Sequence, residues 1–172
     1  MRLLPLLFLT VGVLAAATTP AFAQSQVCPL IGDGDVSTAV GSRVQASPFM
    51  VVDAGSSIQC LFEGDAVGDG VLVGRYPNFF GSQDVQPFSA GQDRLHFLLA
   101  DGLPADSPIN LATVDGVGDT AAWVTPVDSS TAPDSLGRLL IRRGADAFVV
   151  GITMAPTAVA TATSVGQSLL AQ

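Results

Sequence analysis

The chain has 172 residues, with seven arginines and no lysine against 15 acidic residues, and its formal net charge is −8. A surface of that charge repels nucleic acid phosphates and anionic lipid head groups, so neither is expected as a partner. The length suits a single domain with one hydrophobic core.

The N-terminal residues have the pattern of a secretory signal peptide. Arg2 gives a positive start, Leu3 to Ala17 form an apolar run, and Ala21-Phe22-Ala23 is an A-x-A cleavage site. We therefore expect residues 1–23 to be removed and residues 24–172 to form one exported domain, periplasmic or extracellular. No later segment approaches the roughly 18 apolar residues of a transmembrane helix, so the mature chain is expected to have no span.

Two cysteines, Cys28 and Cys60, are present. In an exported chain a single pair favours one structural disulfide. Closing a loop of about 30 residues would stabilise the fold by roughly 3–4 kcal/mol through the unfolded state. A redox pair is disfavoured because the chain has no C-x-x-C spacing and no basic neighbour that would lower a thiol pKa.

The first half of the domain predicts a helix and a hairpin. Asp35 is the expected N-cap of a short helix, and Gly41 its left-handed end. Phe49 to Val52 is an edge strand or an extended loop, because turn residues flank it. Apolar residues alternate from 58 to 63, and Val71 to Tyr76 continue the pattern, so these segments predict two strands joined by an acidic tip.

The second half predicts two helices and two strand pairs. Residues 89–100 begin with a capping box and form an amphipathic helix. Asn110 to Val114 lead into a glycine turn and a second strand, and Leu139–Arg142 with Ala147–Ile152 form a hairpin around Gly144. After Pro156, at a first helical position, one helix face carries Val159, Ala162, Val165 and Leu169.

The order of elements is a helix, two strands, a helix, four strands and a helix. Consecutive hairpins favour antiparallel pairing over parallel βαβ units. The predicted fold is therefore α+β, with a single domain, an antiparallel sheet of about five or six strands, helices on one face and one disulfide.

Several short motifs resemble a family of small exported bacterial domains of unknown function, best represented among actinobacterial lipoproteins. They are Cys28-Pro29-Leu30, Cys60 at a strand, and Gly116-Val117-Gly118-Asp119-Thr120-Ala121-Ala122-Trp123. The resemblance spans most of the mature chain, implies a Cys28–Cys60 disulfide in an α+β domain, and brings no established activity. Residues 25–27 lack a lipidation signal, so the membrane tether of those lipoproteins is not expected.

The segment from Gly116 to Ala121 matches the G-x-G-x-x-[G/A] pattern of dinucleotide-binding turns. Such a turn needs a helix after it to receive a pyrophosphate. Trp123 and Pro126 follow closely and favour a strand, so the preferred interpretation is a glycine turn in which Asp119 bonds to backbone groups. No cofactor is expected.

His96 is the only histidine and lies within the predicted second helix. No G-x-S-x-G motif accompanies it, and a lone histidine with a bonded cysteine pair excludes most zinc sites. Acidic clusters that do not fit a calcium loop are expected to be solvated turn carboxylates. They are Asp33 and Asp35, and Glu63, Asp65 and Asp69. We predict no catalytic residue and no metal site.

The segment Tyr76-Pro77-Asn78-Phe79-Phe80 is the strongest candidate for a contact. Adjacent aromatic residues in a turn-rich segment do not both face a one-sided core easily, so one is a candidate for binding a partner. The alternative is that Phe79 and Phe80 fill a gap between the first hairpin and the second helix. Arg142-Arg143 is expected to be a surface pair that serves solubility.

Our first hypothesis is a non-enzymatic exported domain that binds a protein partner in the cell envelope through the Tyr76–Phe80 segment. The alternative is a small-molecule or lipid carrier with an apolar pocket between the sheet and the helices, lined by Phe97, Trp123 and Phe148. A hydrolase that uses His96 or an acidic pair ranks third.

Overall fold

The computed structural model describes residues 27–47, 51–53, 57–65, 70–88, 108–127, 136–153 and 155–172. The expected signal peptide, the predicted helix over 89–100 and its His96 and Phe97 lie outside these residues. Within them, no helix combines the length and the apolar character that crossing a bilayer would require.

Two helices and eight strands are formed by the described residues. The helices are α1 (Asp33–Val40) and α2 (Ala158–Leu170). The strands are β1 (Val44–Ala46), β2 (Val51–Asp53), β3 (Ser57–Gly64), β4 (Val71–Tyr76), β5 (Ile109–Val114), β6 (Thr120–Pro126), β7 (Leu136–Arg143) and β8 (Asp146–Thr153).

The strands form one antiparallel sheet in the order β1-β3-β4-β8-β7-β6-β5, and β2 pairs with β3. β1 and β2 bond to opposite ends of the same β3 edge, so the described sheet has seven positions across. The antiparallel sheet is confirmed, but the prediction of five or six strands was too low and the fold is mostly β. The three-residue strands β1 and β2 are too short to show an alternating pattern in the sequence.

The predicted hairpins are all present. β3 pairs with β4, β5 with β6, and β7 with β8. In the last hairpin Arg143 pairs with Asp146, and Gly144 has φ 59°, as the first central residue of a two-residue type II′ turn requires. β8 also pairs with β4, which joins the two halves of the sheet.

One side of the sheet, here called the helix face, is covered by α1 and α2. Val36 of α1 and Ala162 and Val165 of α2 are fully buried against it. Burial of each valine side chain contributes about 1.5–3 kcal/mol, and burial of the alanine methyl contributes about 0.8 kcal/mol. The strand residues buried in this cluster are Val44, Cys60, Phe62, Val71, Val73, Ala121, Trp123, Leu139, Ile141, Phe148, Val150 and Ile152.

The opposite side, here called the loop face, is covered in the described residues by the segment 77–88. Phe80 and Phe88 pack there in one cluster with Leu140 and Val149. Their ring centroids are 5.9 Å apart, and Phe79 stands edge-on to Phe80 at 5.1 Å. Both faces of the sheet therefore carry a hydrophobic cluster, one under helices and one under an irregular segment.

The disulfide between Cys28 and Cys60 is confirmed, with the two residues 32 positions apart and both buried. It links the segment before α1 to β3.

Helix α1 starts earlier than expected. Gly32 is its N-cap, the Gly32 carbonyl accepts hydrogen bonds from the Asp35 and Val36 amides, and no side chain caps the helix. The prediction of an Asp35 cap was therefore wrong, whereas Gly41 has φ 77° and ends the helix as expected.

The C-terminal helix begins at Ala158, two residues after the expected start at Pro156. Ala162, Val165 and Leu169 are buried as predicted, but Val159 is 39% exposed and Ala158 is buried in its place. Gly166 allows α2 to pack closely against β7, because a Cβ added at this position would lie only 2.7 Å from Cδ1 of Ile141. α2 thus rests directly on β7.

Candidate functional site

The predicted aromatic contact is largely packed inside the protein. Phe80 is only 7% exposed, and Tyr76 and Phe79 are half-buried beside it. The Tyr76 hydroxyl accepts a hydrogen bond from the Gln59 side-chain amide, and its ring lies edge-on to Phe79 at 6.2 Å. These three rings cover the loop face, and none of them is exposed.

Trp123, the fourth predicted binding residue, lies on the other side of the sheet. It is 8% exposed, sits on β6 opposite Leu139, and belongs to the cluster under the helices. The Tyr76–Phe80 segment and Trp123 are therefore separated by the sheet and do not form one site. Trp123 also does not line the cavity described below.

The glycine turn has the structural role that its sequence favoured. β6 follows it, and the turn itself has Gly116 at φ 80° and Gly118 at φ 63°. The Asp119 carboxylate accepts from the Gly144 amide at 2.6 Å, and the Asp119 amide donates to the Arg142 carbonyl at 2.8 Å. The turn thus braces the β7–β8 hairpin, and the strand after it leaves no helix N-terminus for a pyrophosphate.

The acidic clusters do not gather into a metal site within the described residues, where no group of three or more potential ligands comes together. The Asp33 carboxylate accepts from the Ala46 amide at 3.1 Å and so joins α1 to β1. Glu63 and Asp65 are exposed, and Asp69 lies outside the described residues.

Arg142 and Arg143 have opposite environments, because successive strand residues point to opposite faces. Arg142 is only 4% exposed, so the expectation of a surface pair was wrong for it. Its guanidinium donates to the carbonyls of Gly144, Asp84 and Gln83 and lies 4.7 Å from the centre of the Phe80 ring. Arg142 fastens the irregular segment to the loop face, whereas Arg143 is exposed on the other side.

An open cavity of about 480 Å³ lies at the end of the helix face, beside the last turn of α2. Its volume falls in the range of small-molecule sites, about 300–1,000 Å³. The residues that line it are Pro29, Leu30, Arg75, Arg143, Asp146, Phe148, Leu169, Leu170 and Gln172.

Strand register brings the charged residues of this cavity together. Arg75 of β4 lies opposite Phe148 of β8, and Arg143 of β7 lies opposite Asp146. All four therefore project on the helix face where α2 stops. Phe148 is 8% exposed and, with Leu30 and the other apolar lining residues, gives the cavity a small apolar wall, while most of its accessible lining is polar.

The Asp146 carboxylate is ionised, and both of its oxygens accept hydrogen bonds from other residues of the protein. Partial burial alone would raise its pKa, but hydrogen bonds from the Asn78 amide and Arg75, together with the arginine's charge, hold the pKa below its ordinary value of 3.8. Arg75 donates to one Asp146 oxygen from Nη2 at 2.7 Å and from Nε at 3.1 Å, while the Asn78 amide reaches the other at 2.8 Å. This is the one salt bridge found among the described residues.

Arg143 has a different partner. Its Nη1 donates to the carbonyl of Leu170 in the last turn of α2. The described residues place no carboxylate within salt-bridge distance of its guanidinium. Among the described residues, the rim of the cavity therefore holds one arginine paired with a carboxylate and one, Arg143, that has a hydrogen bond to a carbonyl and no salt bridge.

Comparison of the chain with protein-family models, curated proteins and solved structures gave no match. The resemblance to small exported bacterial domains therefore stays a prediction, and the cavity must be interpreted from its own chemistry.

Proposed function

We propose that this chain is an exported, non-enzymatic domain that binds a small amphipathic molecule in the cavity beside α2. One observation carries the proposal: the cavity combines an apolar wall around Phe148 with an arginine-bearing rim, in a volume of about 480 Å³. Ligand sites typically pair an apolar lining with a few placed polar groups. The Cys28–Cys60 disulfide is consistent with an oxidising compartment outside the cytoplasm.

The apolar wall would receive the body of the ligand. Each methylene removed from water contributes about 0.8 kcal/mol, so four or five of them contribute roughly 3–4 kcal/mol before the costs of association. A contribution of that size corresponds to a Kd of about 1 mM or weaker, so a site this open suits rapidly exchangeable binding. That behaviour fits a carrier or sensor of abundant amphiphiles better than tight sequestration.

The lining residues give little support to catalysis. They include no serine, threonine, cysteine or histidine, and Asp146 has the one side-chain carboxylate among them. A general acid or base works best with a pKa near the working pH, whereas the pKa of Asp146 is lowered by its partners. Binding is thus the better-supported activity.

The protein-partner hypothesis ranks second. It requires an accessible aromatic contact in the Tyr76–Phe80 segment, and Phe80 is buried while Tyr76 and Phe79 are half-buried. Hot-spot residues at interfaces are usually aromatic, so the exposed part of Phe79 is the contact that this hypothesis would use.

Fluorescence of the neutral dye N-phenyl-1-naphthylamine tests the proposed site. The dye brightens in apolar surroundings, and its fluorescence is expected to rise and saturate as the concentration of wild-type protein increases. Leu170→Trp should fill the cavity and weaken dye binding at least tenfold. Val159→Trp, on the exposed side of the same helix, is the matched control and should bind normally.

Absence of dye binding by the wild type would contradict the proposal. Equal binding by both tryptophan variants would also contradict it, because the dye would then occupy another surface. Both variants should first show wild-type melting temperatures, so that loss of binding is not loss of folding.

A further inference from the structure

We propose that the ligand of this cavity is a small organic anion with an apolar body, and that the Arg143 guanidinium binds its head group. This inference rests on the proposed function and names the class of ligand. It follows from the pairing of the charged groups at the rim, from the donors that Arg143 has available, and from the positions of the lining residues along β7 and β8.

The charge balance singles out Arg143. Arg75 directs two nitrogens at Asp146 and forms a nearly neutral pair with it. An incoming anion would have to break both of these hydrogen bonds to separate Arg75 from Asp146, whose other oxygen is held by the Asn78 amide. Arg143, by contrast, has no carboxylate partner among the described residues.

The hydrogen-bonding capacity of Arg143 leaves room for a ligand. A guanidinium has five N–H donors in a planar fork that matches a carboxylate. One bond from Arg143 goes to the Leu170 carbonyl, at the helix end where the partial charge is about −0.5. The full positive charge of Arg143 exceeds that partial charge, so its guanidinium keeps both charge and free donors for an anionic head group.

The shape of the cavity orients the ligand. Arg143 and Asp146 pair at the very end of the β7–β8 hairpin, while Phe148 lies two residues farther along β8. An anionic head at Arg143 would therefore place an apolar body toward Phe148 and Leu30. A neutral apolar ligand would use the same wall but gain nothing from Arg143.

The test compares octanoate with 1-octanol as competitors of N-phenyl-1-naphthylamine, in wild type and in Arg143→Gln. These two ligands share a chain and differ in head-group charge. Arg143→Gln is expected to weaken octanoate about fivefold while leaving octanol unchanged, as for a partly exposed ion pair. The fivefold effect should shrink as salt rises from about 0.02 M to 0.5 M.

Two further variants serve as controls. Arg43→Gln removes the same charge from an exposed arginine that does not line the cavity, and it should leave octanoate binding unchanged. Arg143→Lys keeps the charge and should recover most of the preference for octanoate.

Equal effects of Arg143→Gln on octanoate and octanol, or no effect on either, would overturn the inference while leaving the cavity as a binding site. Failure of both competitors to displace a dye that does bind would likewise overturn it. Failure of the dye itself to bind would instead refute the proposed function.

Discussion

Replacing Gly118 with alanine tests whether the glycine turn must sit directly on β7. Gly118 has φ 63°, and an added Cβ would lie 2.5 Å from the Arg142 carbonyl oxygen and 2.6 Å from Cγ2 of Ile141. The left-handed conformation costs alanine about 1–2 kcal/mol, and relieving the overlap costs about 1–3 kcal/mol. Gly118→Ala is therefore expected to destabilise the domain by about 2–5 kcal/mol.

Gly116→Ala is the matched control, because Gly116 has φ 80° but no atom within 4 Å of an added Cβ. It should lose only the conformational part, about 1–2 kcal/mol. Urea unfolding followed by the fluorescence of the buried Trp123 measures both variants. If Gly118→Ala is no less stable than Gly116→Ala, the close approach to β7 does not constrain the turn.

Two further predictions concern buried or paired charges. Arg142→Met should destabilise the domain by about 1–3 kcal/mol and increase proteolysis within residues 81–87, because two of its carbonyl partners belong to that segment; unchanged cleavage would contradict this role. Asp146 has a lowered pKa in the folded state, so its stabilising contribution is complete above about pH 4 and is lost as pH falls through the folded value. The stability advantage of wild type over Asp146→Asn should therefore shrink between pH 6 and pH 2 in urea titrations, and a constant difference would argue against the pairing with Arg75.

The hairpins could be predicted because their signals are local. Alternation in β3 and β4, and a glycine at the first turn position between β7 and β8, are readable within a few residues. The disulfide followed from the expected compartment and from the presence of a single cysteine pair. These features need no knowledge of which strands meet across the sheet.

The short edge strands and the buried arginine could not be predicted in the same way. β1 and β2 become strands only because β3 offers them an edge. Arg142 is buried because the carbonyls of Gln83 and Asp84, 59 and 58 residues away, receive its guanidinium. Arginines at the end of a strand are ordinarily exposed, and that tendency led to the wrong prediction that Arg142 lies on the surface.

The cavity depends on a salt bridge between residues that are even farther apart in the sequence. Arg75 and Asp146 are 71 residues apart and meet only because β4 pairs with β8. Phe148 was named in the carrier hypothesis as a pocket residue, but Arg143 was assigned to solubility. Nothing in the strand pattern around Arg143 showed that α2 would end beside it.

The turn that carries Arg143 and Asp146 is held from both sides of the sheet. Asp119 accepts from the Gly144 amide, the Phe80 amide donates to the Ala145 carbonyl at 2.9 Å, and the Asn78 amide donates to Asp146. These bonds fix the backbone of the turn and the Asp146 side chain, so this part of the site loses little freedom when a ligand binds and more of the contact energy appears as affinity. The glycine turn and the aromatic segment, both candidate sites in the sequence, thus serve to hold the charged rim in position. Weakening either should therefore reduce ligand binding indirectly, through the geometry of the β7–β8 turn.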